Sequence, residues 1–236
     1  MNRSRASGIS PEVIFGAPPE RQTVGTAAYT QLREAILRGK IAMGTRINEL
    51  ELAGAWNVSR TPIRDALRRL EAEGLVRAIP GMGVVVPALS PVEADELYEL
   101  REVLEARAAR RAAERVTPEF HTRLNGLIKA FGTALKQGDI EQLTDIDQDL
   151  HAGIAAISGN TRLGQAIEAV RAQIYQVRVW SMEAKGRAQK SFREMAKLTA
   201  AIRARNGPRA EAAMREHIAS LRTDLPTVWH EGSDFQ

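Results

Sequence analysis

The chain has no cysteine, so neither disulfides nor thiolate metal sites can contribute, and it is indifferent to redox compartment. It has no long apolar run either; charged residues break every hydrophobic stretch well short of a membrane span. The N-terminal "MNRSRASGISPEVIFGAPPE" lacks a continuous apolar core of signal-peptide length. These absences predict a soluble, cytoplasmic protein that does not engage a membrane. Strand-like patterning is missing after residue 88, and no internal repeat is visible. What remains is a 236-residue chain, 44% hydrophobic, enough for two ordinary domains with real cores.

Net positive charge is also missing from most of the chain. Residues 1–88 hold 12 Lys+Arg against 8 Asp+Glu, whereas residues 89–236 hold 21 of each. The whole formal excess of +4 therefore lies in the first third, where an anionic partner is expected to sit.

The pattern divides the chain in the same place. Residues 1–24 mix Ser, Gly, Pro and charge without period and read as a flexible basic arm. A helix fits 26–39, on Ala28, Leu32, Ala35 and Ile36. A second fits 48–56, capped by Asn48, with Leu50, Leu52, Ala53 and Trp56 apolar. A third runs from Ser59, its cap, to about Glu73, with Pro62 in its first turn and Gly74 as its stop. Then "LVRAIPGMGVVV" switches to β-favouring runs around a Gly-bounded hairpin. From Ser90-Pro91 onward every period is helical, with helices near 91–115, 118–137, 139–158, 160–184, 188–206 and 208–223. The fold class is mainly α: an N-terminal winged helix-turn-helix over 25–88, then a C-terminal all-α antiparallel helical bundle over 89–225 and a tail over 226–236.

Within the first domain, the sharp turn at Trp56-Asn57-Val58-Ser59 precedes "SRTPIRDALRRL". Ile63, Ala66, Leu67 and Leu70 form its inner face. Arg60, Thr61, Arg64 and Arg68 project outward, where arginine can bond two acceptors on a guanine and threonine can meet a base edge or phosphate. Ser59 can cap the helix and also meet a phosphate. Arg69 reads as a phosphate or surface residue. A generic amphipathic helix would carry the same arginines, but the turn before it and the hairpin after it point to DNA.

"LREAILRGKIAMGTRINELELAGAWNVSRTPIRDALRRLEAEGLVRAIPGMGVVV" resembles the DNA-binding domain of GntR-family bacterial transcription regulators. The resemblance implies that Ser59, Arg60, Thr61, Arg64, Arg68 and the wing, through Gly83, meet double-stranded, palindromic operator DNA as a homodimer. Many relatives carry a basic residue at the wing tip, where Met82 stands here, and some an Arg in place of Leu50. A backbone-led wing contact and a different operator preference follow.

The helical remainder resembles the FCD ligand-binding domain of the FadR subgroup, through "LYELREVLEARAARRAAER", "DQDLHAGIAAISGN" and "MREHI" in that order. In that domain an Asp and three His commonly hold a divalent metal. Asp147, His151 and His217 match three of those positions, and Met195 stands at the fourth. Asp147 and His151, four residues apart, share a helix face, a spacing that suits two ligands of one ion and equally a polar surface pair. Met195 and His217 lie at matching heights from the turn at Asn206–Pro208 in an antiparallel pair. Zinc, nickel or manganese are the ions implied, with thioether a poor substitute for imidazole on any of them.

Arg101 falls on the apolar stripe Leu97, Leu104, Ala108, where a guanidinium needs an acceptor. That acceptor is either a bundle carboxylate or a small organic-acid effector gripped bidentately. Relatives use an arginine of this helix for acidic effectors, and Trp180 can line the pocket or simply fill core. His121 and His230 read as surface residues. The expected protein is a regulator, not an enzyme, that represses until a small carboxylate binds. Two other readings stay open: a metal-dependent enzyme built on Asp147, His151 and His217, and a constitutive DNA-binding protein with a decayed effector site.

Overall fold

Local caps set most of the boundaries in the computed structural model, which describes residues 24–81 and 83–232, with the side chains at 176 and 226–232 excepted. Residues 1–23 of the arm expected over 1–24, Met82 of the wing tip, the side chain of His230 and the last four residues of the expected tail lie outside the described residues; Val24, the arm's last position, already belongs to the first helix.

The first domain comprises α1 (Val24–Leu37), β1 (Arg46–Ile47), α2 (Glu49–Ala55), α3 (Arg60–Ala72), β2 (Arg77–Ile79) and β3 (Gly83–Val85). Asn48 caps α2, its side chain accepting from the amides of Leu50 and Glu51. Between α2 and α3, Asn57 takes a left-handed backbone (φ 52°), which its short polar side chain tolerates, and this reverses the chain within one turn. Ile63, Ala66, Leu67 and Leu70 of α3 are buried against Ala28, Leu32 and Ile36 of α1. Each of the larger side chains contributes about 1.5–3 kcal/mol by leaving water. Gly74, at φ +76°, stops α3, and the Leu75 amide closes back on the Leu70 carbonyl at 2.9 Å.

The wing is a three-stranded antiparallel sheet in the order β1-β3-β2, with Arg46 opposite Val85 and Ile79 opposite Gly83. The hairpin was expected; β1 was not, because two residues carry no periodicity. Leu50, expected among the apolar positions of α2, is 65% exposed. Ser59 occupies the N-cap position of α3, but its side chain makes no capping hydrogen bond, so the expected cap is corrected and the hydroxyl faces solvent.

The second domain is helical throughout: α4 (Pro91–Arg115), α5 (Pro118–Gln137), α6 (Ile140–Ile157), α7 (Thr161–Gln173), α8 (Tyr175–Glu183), α9 (Arg187–Arg203) and α10 (Gly207–Gly232). Ser90 and Glu93 form a reciprocal capping box before Pro91, and Thr117 caps α5 ahead of Pro118. The helix expected over 160–184 is two, broken at buried Ile174. The last helix passes the expected end at 223 and takes in most of the expected tail. α4 lies along α10, with α6, α7 and α9 also against it. The two domains touch: Ala172 of α7 joins the core of the first domain, and a cleft of about 910 Å³ runs between α1 on one side and α6 and α7 on the other. No described helix is long and apolar enough to cross a membrane.

Candidate functional site

The outward face of α3 begins the first site. Ser59, Arg60, Thr61, Arg64 and Arg68 are all exposed, as their spacing against the buried Ile63–Leu70 series requires. Arg60 and Arg64 converge on one carboxylate, Glu49 at the start of α2, at 3.4 and 3.1 Å. The hydrogen bond from Arg64 is the main reason the Glu49 carboxyl sits below its usual range. Arg46 of β1, Leu50, Glu49, Arg60, Arg64 and Gly83 line one shallow concavity, so the recognition helix and the wing present a continuous surface. Gly83 has φ +88°, and the Arg46 side chain passes close to it. Arg69 instead stacks on the Tyr29 ring, 3.8 Å from its centroid. Arg46 and Glu49 were missed in the sequence, where neither shows any pattern.

The second site lies inside the bundle. Tyr98, Arg101 and Glu105 descend one face of α4; Asp147 and His151 come from α6, Arg171 from α7, Arg178 from α8 and His217 from α10. All eight are buried. Asp147, His151 and His217 each direct one donor atom to a common point, all within 4.8 Å of one another. His151 Nε2 and Asp147 Oδ1 are 3.4 Å apart, the edge of a tetrahedron with arms of about 2.1 Å, a usual metal–ligand length.

The imidazoles are held from behind. His151 Nδ1 faces Glu105, and His217 Nδ1 faces Glu194 at 2.8 Å; in the neutral tautomer that donates Nδ1–H outward, each Nε2 presents a lone pair inward. Burial pushes the His217 imidazole below its ordinary value, against the opposing pull of Glu194. Burial would raise Asp147 and Glu105, but it is outweighed: His151 and Arg178 hold Asp147, and His151, Arg101 and Arg171 hold Glu105, well below the carboxylate range.

Arginines surround the anions. Arg178 donates to Asp147 Oδ2 at 2.6 Å, Arg171 reaches the same oxygen at 3.5 Å, and Arg101 donates to Glu105 at 2.7 Å. Arg171 is lowered to about 10, by burial first and by Arg178 second, and so stays charged at neutral pH. Three guanidiniums thus face two carboxylates, an excess of one positive charge among buried side chains.

Six polar atoms in this cluster are buried without a hydrogen-bond partner among the described residues: Asp147 Oδ1, His151 Nε2, His217 Nε2, Tyr98 Oη, and Arg101 Nη1 and Nη2. Orphaned buried groups cost about 1–3 kcal/mol each, and six together are a large deficit for one small volume. Three are acceptors that fit a cation. The other three, on Tyr98 and Arg101, offer hydrogens that fit an anion.

Of the residues expected from sequence, Asp147, His151, His217 and Arg101 are therefore brought together. Met195 is wholly buried on α9 beside Glu194 and supplies no imidazole. Trp180 is partly buried against the bundle core. Arg101 meets the first alternative, a bundle carboxylate, since its Nε donates to Glu105; both Nη atoms have no hydrogen-bond partner among the described residues. Tyr98, Glu105, Arg171, Arg178 and Glu194 were missed. Glu105 carried a signal, lying four residues after Arg101 on the same face.

Comparison with known proteins agrees with this two-part build. Residues 25–86 match the family described as bacterial regulatory proteins, gntR family, and residues 96–220 match the FCD domain. The chain is similar to the HTH-type transcriptional repressor RspR of Escherichia coli, 26% identical over 91% of this chain and 94% of the relative. It is also similar to the gluconate operon transcriptional repressor of Bacillus licheniformis, 32% identical over 57% of this chain and 55% of that one. Among solved structures, Escherichia coli McbR/YncC shares the fold with a TM-score of 0.76 and 23% identity, over 89% of this chain and all of that one. RspR and the gluconate operon repressor are transcription regulators, as is the matched family, which removes the enzyme reading of Asp147, His151 and His217. The chain belongs to the GntR family and is a DNA-binding transcription regulator, its winged helix-turn-helix followed by an FCD domain.

Proposed function

We propose that the protein is a repressor that binds palindromic operator DNA as a homodimer through Arg60, Thr61, Arg64, Arg68, Ser59 and the wing at Gly83. A small carboxylate in the bundle controls its affinity. The observation that carries the effector reading is the division of the six orphaned atoms into a cation-attracting half and an anion-attracting half. Asp147, His151 and His217 would hold a divalent ion, which would supply positive charge for a carboxylate oxygen. Arg101 would grip the carboxylate, with Tyr98 donating to it or to a neighbouring hydroxyl.

A metal-free reading has its own support in Met195 and in the surplus guanidinium charge. Arg101, Arg171 and Arg178 suit an anion with no ion beside it. Under either reading the ligand lies close to Arg171 and Gln148, which also line the cleft facing the DNA-binding domain. A repacking there needs to shift operator affinity by only about 1–3 kcal/mol to act as a switch.

The test is metal analysis of the purified protein with a thermal-shift screen of small mono- and dicarboxylates, with and without zinc, nickel or manganese. An acid at about 100 times its Kd should add ~2.7 kcal/mol of stability and release operator DNA. Stabilisation only when metal is present supports the metal-bridged form, and stabilisation after chelation supports the arginine form. No response to any acid in either state would overturn effector control and leave a constitutive DNA-binding protein.

A further inference from the structure

Arg171 belongs to the buried cluster and to the surface at once. Its guanidinium lies 3.5 Å from Glu105 and 3.5 Å from Asp147, yet the residue also lines two surface clefts. One is the cleft of about 910 Å³ between α1 and the helical domain. The other, of about 390 Å³, is a groove between the end of α6 and the start of α7. Gly164, Glu168 and Arg171 line both and fall on one stripe of α7. The Arg171 side chain therefore spans the wall between cleft and cluster.

That side chain is held loosely from within. Arg178 and Arg101 donate to Asp147 and Glu105 at 2.6 and 2.7 Å, whereas both carboxylate contacts of Arg171 are at 3.5 Å. Its shorter bonds, at 3.0 and 3.3 Å, go to the side-chain oxygen of Gln148, which is half-buried in the wall of the larger cleft. The backbone beside it is seated in the other domain. Ala172 packs in the core of the DNA-binding domain, and Gln173 lies so near Gly74 that a Cβ there would come within 2.9 Å of its side chain.

We infer that a small acid enters the buried cluster from the cleft between the domains, and that Arg171, latched by Gln148, is the door. The inference rests on the effector site proposed above and adds its route. Swinging the guanidinium outward releases Gln148 and the two longest carboxylate contacts, and leaves Arg178 and Arg101 on Asp147 and Glu105. The entering anion meets a guanidinium all the way in, so its charge is never left unpaired in the interior. Because Ala172 and Gln173 tie the same turn of α7 to the DNA-binding domain, opening the door and moving one domain against the other are mechanically joined.

The chain has no cysteine, so a single introduced thiol reports entry. His217→Cys places one in the cluster, where the surplus guanidinium charge favours the thiolate. Iodoacetate, itself a small carboxylate, alkylates that sulfur with loss of iodide. Tyr98→Cys gives a second reporter in the same cluster. Nothing lies within 4 Å of where a Cβ on Gly164 would stand, so Gly164→Trp fits there and fills the mouth of both clefts. Gly126→Trp, equally open on α5, is the control.

Labelling of the full chain, followed by mass spectrometry, should slow about tenfold or more with Gly164→Trp and stay unchanged with Gly126→Trp. It should quicken about threefold or more with Gln148→Ala, and circular dichroism should show each variant folded. Equal rates in the two tryptophan variants place the entrance elsewhere and overturn the inference. Slowing by Gly164→Trp without acceleration by Gln148→Ala overturns Arg171 as the door. Labelling of both reporters only as fast as the protein unfolds closes this route and overturns it too. The label needs no effector response, so each of these failures leaves effector control standing or falling on the thermal-shift screen alone.

Discussion

Arg33 of α1 donates a hydrogen bond to Glu168 of α7 at 2.7 Å, joining the DNA-binding domain to the helical domain through one guanidinium. The same arginine donates to Glu73, the residue that ends the recognition helix, at 3.1 Å. On the other side, Glu168 accepts from Gln148, whose carbonyl oxygen is held by Arg171 at 3.0 Å and Arg178 at 2.7 Å. Those two arginines also contact Asp147. A continuous polar chain thus runs from the buried cluster to the end of α3.

Glu168→Ala cuts that chain where it is most exposed. Half-exposed ion pairs contribute at most about 1 kcal/mol, so operator affinity without effector should change less than about fivefold. The response to an effector acid should fall much further, since the link between ligand and α3 is gone. Operator titrations with and without the acid would show this. An unchanged response would place the coupling elsewhere, through the Ala172 contact for example.

Arg64→Ala should weaken specific operator binding by about 1–3 kcal/mol with no loss of fold, because the side chain is exposed and its only partner among the described residues is Glu49. A mobility-shift titration against cognate and scrambled duplexes would separate base reading from general attraction. Near-parental affinity for the cognate site would remove Arg64 from the interface.

Glu49→Gln acts in the opposite sense. In the free protein the carboxylate neutralises part of Arg60 and Arg64, and DNA must displace it or accept its repulsion. Removing one negative charge from the concavity should tighten binding to any duplex and steepen its salt dependence by about one counterion. Affinity that falls instead would mean that Glu49 orients the two arginines for base contact.

The recognition helix was legible because an amphipathic period states which side chains are inside, and Arg60, Thr61, Arg64 and Arg68 were what remained. The metal-type triad was legible only in part. Asp147 and His151 share a helix and a four-residue spacing, but His217 is brought to them by tertiary packing of α10 and could be placed only by resemblance. Arg171 and Arg178 left no sign at all, because a buried arginine looks in sequence like any surface one. The break at Ile174 was hidden for a similar reason: an apolar residue continues the helical period even where the backbone leaves it. Two-residue β1 was too short to show any pattern.

Acid should loosen the bundle through Glu194. Burial would raise this carboxyl, but the hydrogen bond from His217 leads a set of contacts, with Ser220 and Arg187, that brings it down to about 2. Its folded value lies below its unfolded one near 4.5, so its contribution is complete above about pH 4.5 and fades as pH falls toward 2. Glu194→Gln should cost about 1–3 kcal/mol at pH 6 by unpairing buried donors. The difference from the parent should shrink as pH falls below 4.5. Urea midpoints measured from pH 3 to 6 test this, and a difference independent of pH would assign the loss to packing.

On the metal-bridged reading proposed above, Met195 would decide how completely Asp147, His151 and His217 hold an ion. Those three donors would bind one face of a zinc-like ion, and the thioether offers it nothing suitable. Met195→His, on a helix already packed against α10, should add a fourth donor and tighten binding of zinc or nickel by at least tenfold. His217→Ala should abolish it, and should also weaken any carboxylate whose binding requires the ion. Isothermal titration of the parent and both variants against zinc, nickel and manganese gives the comparison directly. If the parent binds none of them and Met195→His gains nothing, the three acceptors hold no ion. The surplus charge of Arg101, Arg171 and Arg178 then becomes the anchor, and Arg101→Ala alone should abolish the response to acids.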